Sequence, residues 1–266
     1  MTPVASFADL LRSAVTEPGI ISAAYQQFHT YSIGNQLLAW SQCIERGIQP
    51  GPIATFPRWK ELGRHVRKGE RALTLCQPVT VKRTTSADDG TEETDAFTRF
   101  VYRPHWFVLA QTDGQDVEPL AIPEWDQARA LHALRVIEEP FTGTDGNCQG
   151  YARQQTIAVS PVAGLPDKTR FHELAHVLLG HTSEAESGLS DSDMIPRSLR
   201  EVEAEAVALV CLEALGLPGA DHCRGYIQHW NERRGAEPIP ERSAQRIFKA
   251  ADQILKAGTT KPEAQS

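Results

Sequence analysis

Residues Phe171 to His181 read FHELAHVLLGH, and within them His172, Glu173 and His176 spell H-E-x-x-H. On an α-helix, residues four apart lie about 40° apart around the axis, so both imidazoles can be directed at one metal ion. Glu173 follows the first of them and is placed to take a proton from a water on that metal. Phe171, Leu174, Ala175, Val177, Leu178 and Leu179 around it are apolar, so the helix is expected to be buried. Two histidines and a glutamate in a dry core are costly unless they coordinate or pair. The competing reading is a chance H-E-x-x-H on an ordinary amphipathic helix. A third ligand decides between them, because a catalytic zinc takes three protein ligands.

His181 is the nearest candidate. If the helix continues, it points about 140° away from His176. The plain reading of His181 is a histidine favoured by the dipole near a helix C-terminus. A better candidate lies in SLREVEAEAVALVCLEALGL (198–217), apolar nearly all round from Ala206 and so a core helix. Glu201 and Glu205 share one face of it, and Glu203 points almost opposite. Two carboxylates entering a core need a cation or hydrogen-bond donors. Glu201 is therefore expected as the third ligand, and Glu205 as the group that orients a ligand histidine. The alternative is a solvated acidic first turn stabilised by the helix dipole. Tyr151, His181, His222 and Tyr226 stay open as donors to an oxyanion.

Working outward, the 266 residues suffice for one large or two ordinary domains. A hydrophobic content of 41% and a charged content of 23% are those of an ordinary soluble protein. The five cysteines (43, 76, 148, 211 and 223) include no C-x-x-C pair, which fits a reducing, cytoplasmic compartment. MTPVASFADLLRSAV lacks the basic start and long apolar run of a signal peptide. No apolar run approaches the roughly 20 residues of a membrane span, so no membrane association is expected.

Helices are expected at 6–15, 21–47 and 57–63, a strand at 72–82, and one or two strands within 97–111. Pro78 marks the first strand as an edge or a bulge. The polar loop 84–95 reads as a mobile hairpin tip. Turn formers in TDGQDVEPLAIPEW (112–125) place a domain boundary there. Beyond it come a helix at 126–139, a β-hairpin within 141–161, helices at 167–179, 196–216, 221–233 and 239–257, and a disordered tail at 259–266.

The net charge of −7 argues against a polyanion-binding surface over the whole molecule, but the average hides an asymmetry. From Arg58 to Arg83 there are eight basic residues against Glu61 and Glu70, a local charge of +6. Acid collects elsewhere, in ADDGTEETD (87–95) and around Glu201. In TFPRWKELGRHVRKGERAL (55–73), Lys60, Arg64, Arg67, Lys68 and Arg71 could neutralise phosphates while Trp59 or Phe56 stacks on bases. A solvated charged face over a core Trp59 is the ordinary alternative.

HELAHVLLGH followed by EVEAEAVA resembles the zinc metallopeptidases of the ImmA/IrrE type and the C-terminal domain of ArdC-type antirestriction proteins. YSIGNQLLAWSQCIERG (31–47) with WKELGRHVRKGE (59–70) resembles the ArdC N-terminal domain, which binds single-stranded DNA. The resemblance implies an α+β chain of two domains. An ArdC-like single-stranded-DNA-binding module would occupy 1–120, and a mostly helical, zincin-like metallopeptidase with a small β-sheet 121–258. It implies His172, His176 and Glu201 as ligands of Zn²⁺ in a gluzincin-like site, with Glu173 as general base. It also implies that the strand in YARQQTIAVSP (151–161) pairs with an extended peptide of an unknown protein substrate. The setting it implies is antirestriction or DNA protection on a mobile element. Two rivals remain: an ImmA-like regulatory protease that cleaves a repressor, and a non-catalytic DNA-binding protein with a structural zinc.

Overall fold

The structure, a computed structural model, describes residues 5–86, 92–118, 121–144, 146–182, 196–233 and 239–259. The chain divides into two compact units, one within Leu38–Leu120 and one uniting Ala5–Leu37 with the chain from Ala121 onward. It is α+β, as the sequence predicts. No helix among the described residues is long and apolar enough to cross a membrane.

The first unit takes the C-terminal part of α3 (Ile33–Arg46) and then β1 (Ile53–Thr55), α4 (Phe56–Glu61) and β2 (Arg64–Val66). The strands β3 (Leu73–Ser86), β4 (Glu92–Val108) and β5 (Thr112–Gly114) follow. β4 lies between β1 and β3, antiparallel to both, and β2 pairs with β5. Pro78 sits opposite Phe100 on β3, an edge strand, the place in a sheet where proline is tolerated. Trp59, Leu73, Leu75, Trp106 and Val108 form the core. Gln42 on α3 acts there as a surrogate strand. Its amide donates to Thr74 O at 2.9 Å and accepts from Thr74 N at 2.9 Å. The hairpin tip expected at 84–95 lies partly outside the described residues.

The second unit is built on α7 (Arg197–Leu215), whose residues Val202 to Glu213 are all buried. Around it pack α2 (Ile20–Phe28), α6 (Pro166–Leu178), α8 (Ala220–Arg233) and α9 (Glu241–Gly258). α5 (Gln127–Leu134) packs on α9. A small sheet of β6 (Ile137–Glu138), β7 (Gly150–Arg153) and β8 (Thr156–Val159) lies on α6 in the order β6-β8-β7, so β7 is an edge. The helix expected over 126–139 stops at Leu134, because Arg135 turns left-handed (φ 56°) and the next residues pair with β8.

One expectation fails at the N-terminus. The helix expected over 21–47 is two helices, α2 and α3. The second restarts because Asp252 of α9 takes the Ile33 amide at 2.9 Å, a long-range cap invisible in local sequence. By packing, residues 5–37 of the domain expected over 1–120 fall in the second unit. Glu241 accepts from the Phe7 and Ala8 amides at the start of α1 (Phe7–Thr16), at 3.3 and 2.8 Å. Arg224 donates to Ala14 O and Val15 O at its end, at 2.6 and 2.8 Å. Arg224 also pairs with buried Glu213, whose carboxylate accepts from Gly19 N at 3.4 Å. These anchors fill both orphaned ends of α1. The tail expected at 259–266 lies, from residue 260 on, outside the described residues.

Candidate metal centre and nucleic-acid interface

α6 begins at Pro166, a favoured first helical residue, and presents His172 and His176 one turn apart. Their Nε2 atoms are 3.1 Å apart. Glu201 on α7 brings Oε2 to 3.4 Å from His172 Nε2 and 3.6 Å from His176 Nε2. These three can hold one metal ion, and they are the only such group found among the described residues. A tetrahedral ion with bonds of about 2.0–2.1 Å needs donor atoms about 3.3 Å apart, which this triangle nearly supplies.

Glu205, one turn beyond Glu201, places Oε1 at 3.4 Å from His172 Nδ1, the ring nitrogen facing away from the cluster. Lys168 donates to the same oxygen at 2.7 Å. Burial pushes the Glu205 carboxyl up, but His172 and Lys168 outweigh it and bring its pKa down to about 2. Contacts from His172 and then His176 hold Glu201 far below the usual carboxylate range. Burial pushes His172 down, yet Glu201 and Glu205 outweigh it and raise its pKa to about 9. The cluster is thus set electrostatically for a positive charge.

Glu173 is buried, and burial raises its pKa against the opposing pull of His172 and His176. It borders a cavity of about 540 Å³ together with His172, His176, Glu201, Lys168 and Gly150. Gly150 on the edge strand is required by close approach. A Cβ there would stand 2.6 Å from Thr169 Cγ2 and 2.9 Å from Ala158 O. The chain can therefore pass directly over Thr169 and Glu173 only with glycine at this position.

His181 departs from its plain reading. Gly180 adopts φ 72° and closes α6 with two bonds, His181 N to His176 O at 2.9 Å and Gly180 N to Val177 O at 3.1 Å. This left-handed turn folds His181 back beside His176, with the two Nδ1 atoms 3.0 Å apart. The other ring nitrogen of His181 meets Glu203 Oε2 at 3.0 Å. Glu203 is 0% exposed. Burial raises its carboxyl, but His181, Ser243 and Arg246 hold it below the usual range. Burial lowers His181, which favours its neutral form. Gly180 was the sequence signal for this arrangement. As an oxyanion donor His181 has both nitrogens engaged, and Tyr151 is tied to Glu139 and Thr142 at 3.1 Å each. Arg197, which borders the cavity, was not singled out in the sequence.

In the first unit Trp59 is 1% exposed and donates its indole N–H to Phe107 O at 2.9 Å. It is a core residue and is corrected as a stacking residue. Arg64 is spent on Thr112 and Gln115. Arg67 bonds Glu70 at 2.8 Å and Ala110 O at 2.5 Å. Lys60, Lys68 and Arg71 are exposed outside those pairs. Exposed aromatic surface comes instead from Phe56 (54%) and from Phe100 (67%) and Tyr102 (44%), two residues apart and so on one face of β4. The F-V-Y alternation was the available signal for the latter two.

Comparison with known proteins first defines the class: residues 13–105 match the family model of the N-terminal domain of anti-restriction factor ArdC. That segment straddles both compact units. The crystal structure of the metal-free antirestriction ArdC protein from the R388 plasmid then matches over 95% of this chain and 94% of that one, with a TM-score of 0.52 at 21% identity. The Mn(II)-bound structure of that ArdC matches over 95% and 96%, with the same TM-score and identity. No curated protein matches the sequence. The chain therefore shares the ArdC fold, and its residues 13–105 resemble the ArdC N-terminal domain.

Proposed function

We propose that the chain is an antirestriction protein of ArdC type whose second unit is a zinc-dependent peptidase and whose first unit binds single-stranded DNA. The observation that carries the peptidase reading is the convergence of His172 Nε2, His176 Nε2 and Glu201 Oε2 within 3.1–3.6 Å beside a buried glutamate. His172, His176 and Glu201 would hold the ion. When bound, a divalent cation polarises a carbonyl and makes a water acidic enough to ionise near neutral pH. Glu173, whose pKa burial raises, would serve as the general base toward the attacking water and would pass the proton to the leaving amine. Two imidazoles and a carboxylate suit zinc, which such sites bind more tightly than manganese. The Mn(II)-bound ArdC of the R388 plasmid supports a divalent cation in this fold. An extended peptide would lie along the edge strand β7, whose Gly150 borders the cavity.

For the DNA half, Phe56, Phe100 and Tyr102 supply stacking surface, and Lys60, Lys68 and Arg71 supply charge toward phosphates. A protein bound to incoming single-stranded DNA is the substrate class that joins the two halves. The test compares hydrolysis of an unfolded protein by the zinc-loaded chain and by Glu173→Gln. The variant is expected to keep its metal and lose about 10²–10⁴-fold in rate. Equal rates, or no hydrolysis by the zinc-loaded parent, contradict the peptidase reading.

A further inference from the structure

We propose that Glu203 and His181 are positioning residues that fix the tautomer and ring orientation of His176, so that its Nε2 lone pair faces the metal position. The inference rests on the reading of His172, His176 and Glu201 as ligands.

The proton count along the chain of contacts leaves one consistent solution. His176 Nε2 faces His172 Nε2 at 3.1 Å and Glu201 Oε2 at 3.6 Å, so as a ligand it must be unprotonated. A neutral imidazole then carries its proton on Nδ1. That atom lies 3.0 Å from His181 Nδ1, which must accept the hydrogen bond. The proton of neutral His181 is accordingly on Nε2, 3.0 Å from Glu203 Oε2. A carboxylate only accepts, so the order starts at Glu203 and is transmitted through two rings. Reversing any link sets two lone pairs or two N–H groups against each other.

The two histidine ligands are thus held by different devices. His172 meets a carboxylate directly, through Glu205. His176 meets one through an intervening imidazole. The burial of the second device argues against an incidental contact. The His181 side chain is 2% exposed and Glu203 0%, and an isolated buried carboxylate is costly. Arg246 on α9 steadies both ends. It lies 3.7 Å from Glu203 Oε2 and donates to Leu179 O, at the end of α6, at 2.6 Å. A role limited to tying α6, α7 and α9 together would need no acceptor at the position of His181 Nδ1.

That difference sets the experiment. Zn²⁺ affinity, the visible absorption of Co²⁺-substituted protein, and thermal unfolding of the metal-free protein are measured for the full chain, His181→Phe, His181→Asn and Glu203→Gln. Phe keeps bulk and removes the acceptor, whereas Asn restores an oxygen close to the Nδ1 position. The expected result is a loss of about 10–100-fold in Zn²⁺ affinity for His181→Phe, with an altered Co²⁺ spectrum. His181→Asn should recover most of that affinity, and Glu203→Gln should fall between. Unchanged affinity in His181→Phe, or a loss that Asn does not recover, overturns the proposal. If His181→Phe fails to fold, Glu203→Gln decides alone: parental affinity and an unaltered Co²⁺ spectrum overturn the proposal. A parent that binds no metal overturns the ligand reading and this inference together, whereas a metal-binding parent with an indifferent His181→Phe overturns only this inference.

Discussion

The α6–α7 cluster and the basic stretch from Arg58 to Arg71 both concentrate charge, and they hold it in different ways. In the cluster the charged groups are buried or half-buried, and each is arranged against another: His172 against Glu201 and Glu205, Glu205 against Lys168, Glu203 against His181 and Arg246. In the basic stretch the cations lie mostly at the surface. Two are consumed locally, Arg58 by Glu61 and Arg67 by Glu70 and Asp113, with the arginine side chains 60% and 41% exposed. Desolvation explains the contrast. A buried charge without partners is too costly to persist, so its partners are specified, while an exposed charge costs little whatever it meets. Charge spacing in sequence therefore reports geometry in the core and reports little at the surface.

The comparison can be broken most severely at Trp59. If it belongs to the core, Trp59→Ala removes a side chain 1% exposed and costs about 3–5 kcal/mol of stability. Urea unfolding measures this. A fully stable variant with weakened DNA binding would restore Trp59 as a surface contact.

pH probes the buried side. Below a pKa of about 9 the proton on His172 must leave before a metal can bind there. Apparent metal affinity should therefore fall as pH falls, by about tenfold per unit, or about 100-fold from pH 8 to 6. In the metal-free protein the sign is opposite. The charged His172 stabilises the fold below its ordinary pKa of 6.5, and that contribution is lost as pH rises toward 9. Calorimetric titration with Zn²⁺ at several pH values checks the first, and a pH-independent affinity would contradict it.

The smallest effects belong to the surface. Lys68→Ala and Arg71→Ala should each reduce the slope of log affinity for single-stranded DNA against log salt by about 0.7–1. Arg64→Ala, whose guanidinium is spent on Thr112 and Gln115, should leave that slope unchanged. Fluorescence titration of a labelled oligonucleotide over a salt series separates the two.

The same physics explains what the sequence made legible. His172, His176 and Glu201 could be read because helical spacing converts directly into a shared face, and because carboxylates entering an apolar helix demand a partner. Glu205 followed from the same spacing. Helical spacing could not place His181, because Gly180 turns left-handed after the helix end and folds the chain back beside His176. Trp59 was ambiguous because basic neighbours accompany both a stacking aromatic and a core aromatic near the surface. The attachment of residues 5–37 to the second unit depends on Arg224, Glu241 and Asp252, which lie more than 200 residues away in sequence from the groups they cap. No local pattern encodes such anchors.

The most direct test of the metal centre is the zinc content of the purified chain beside Glu201→Gln and Glu205→Gln. The geometry predicts about one zinc per chain in the parent, most of it lost with Glu201→Gln. Glu205→Gln should retain zinc with affinity lowered by about 10–100-fold. A parent without zinc, or zinc content indifferent to Glu201, would contradict the assignment of the α6–α7 cluster as the metal centre.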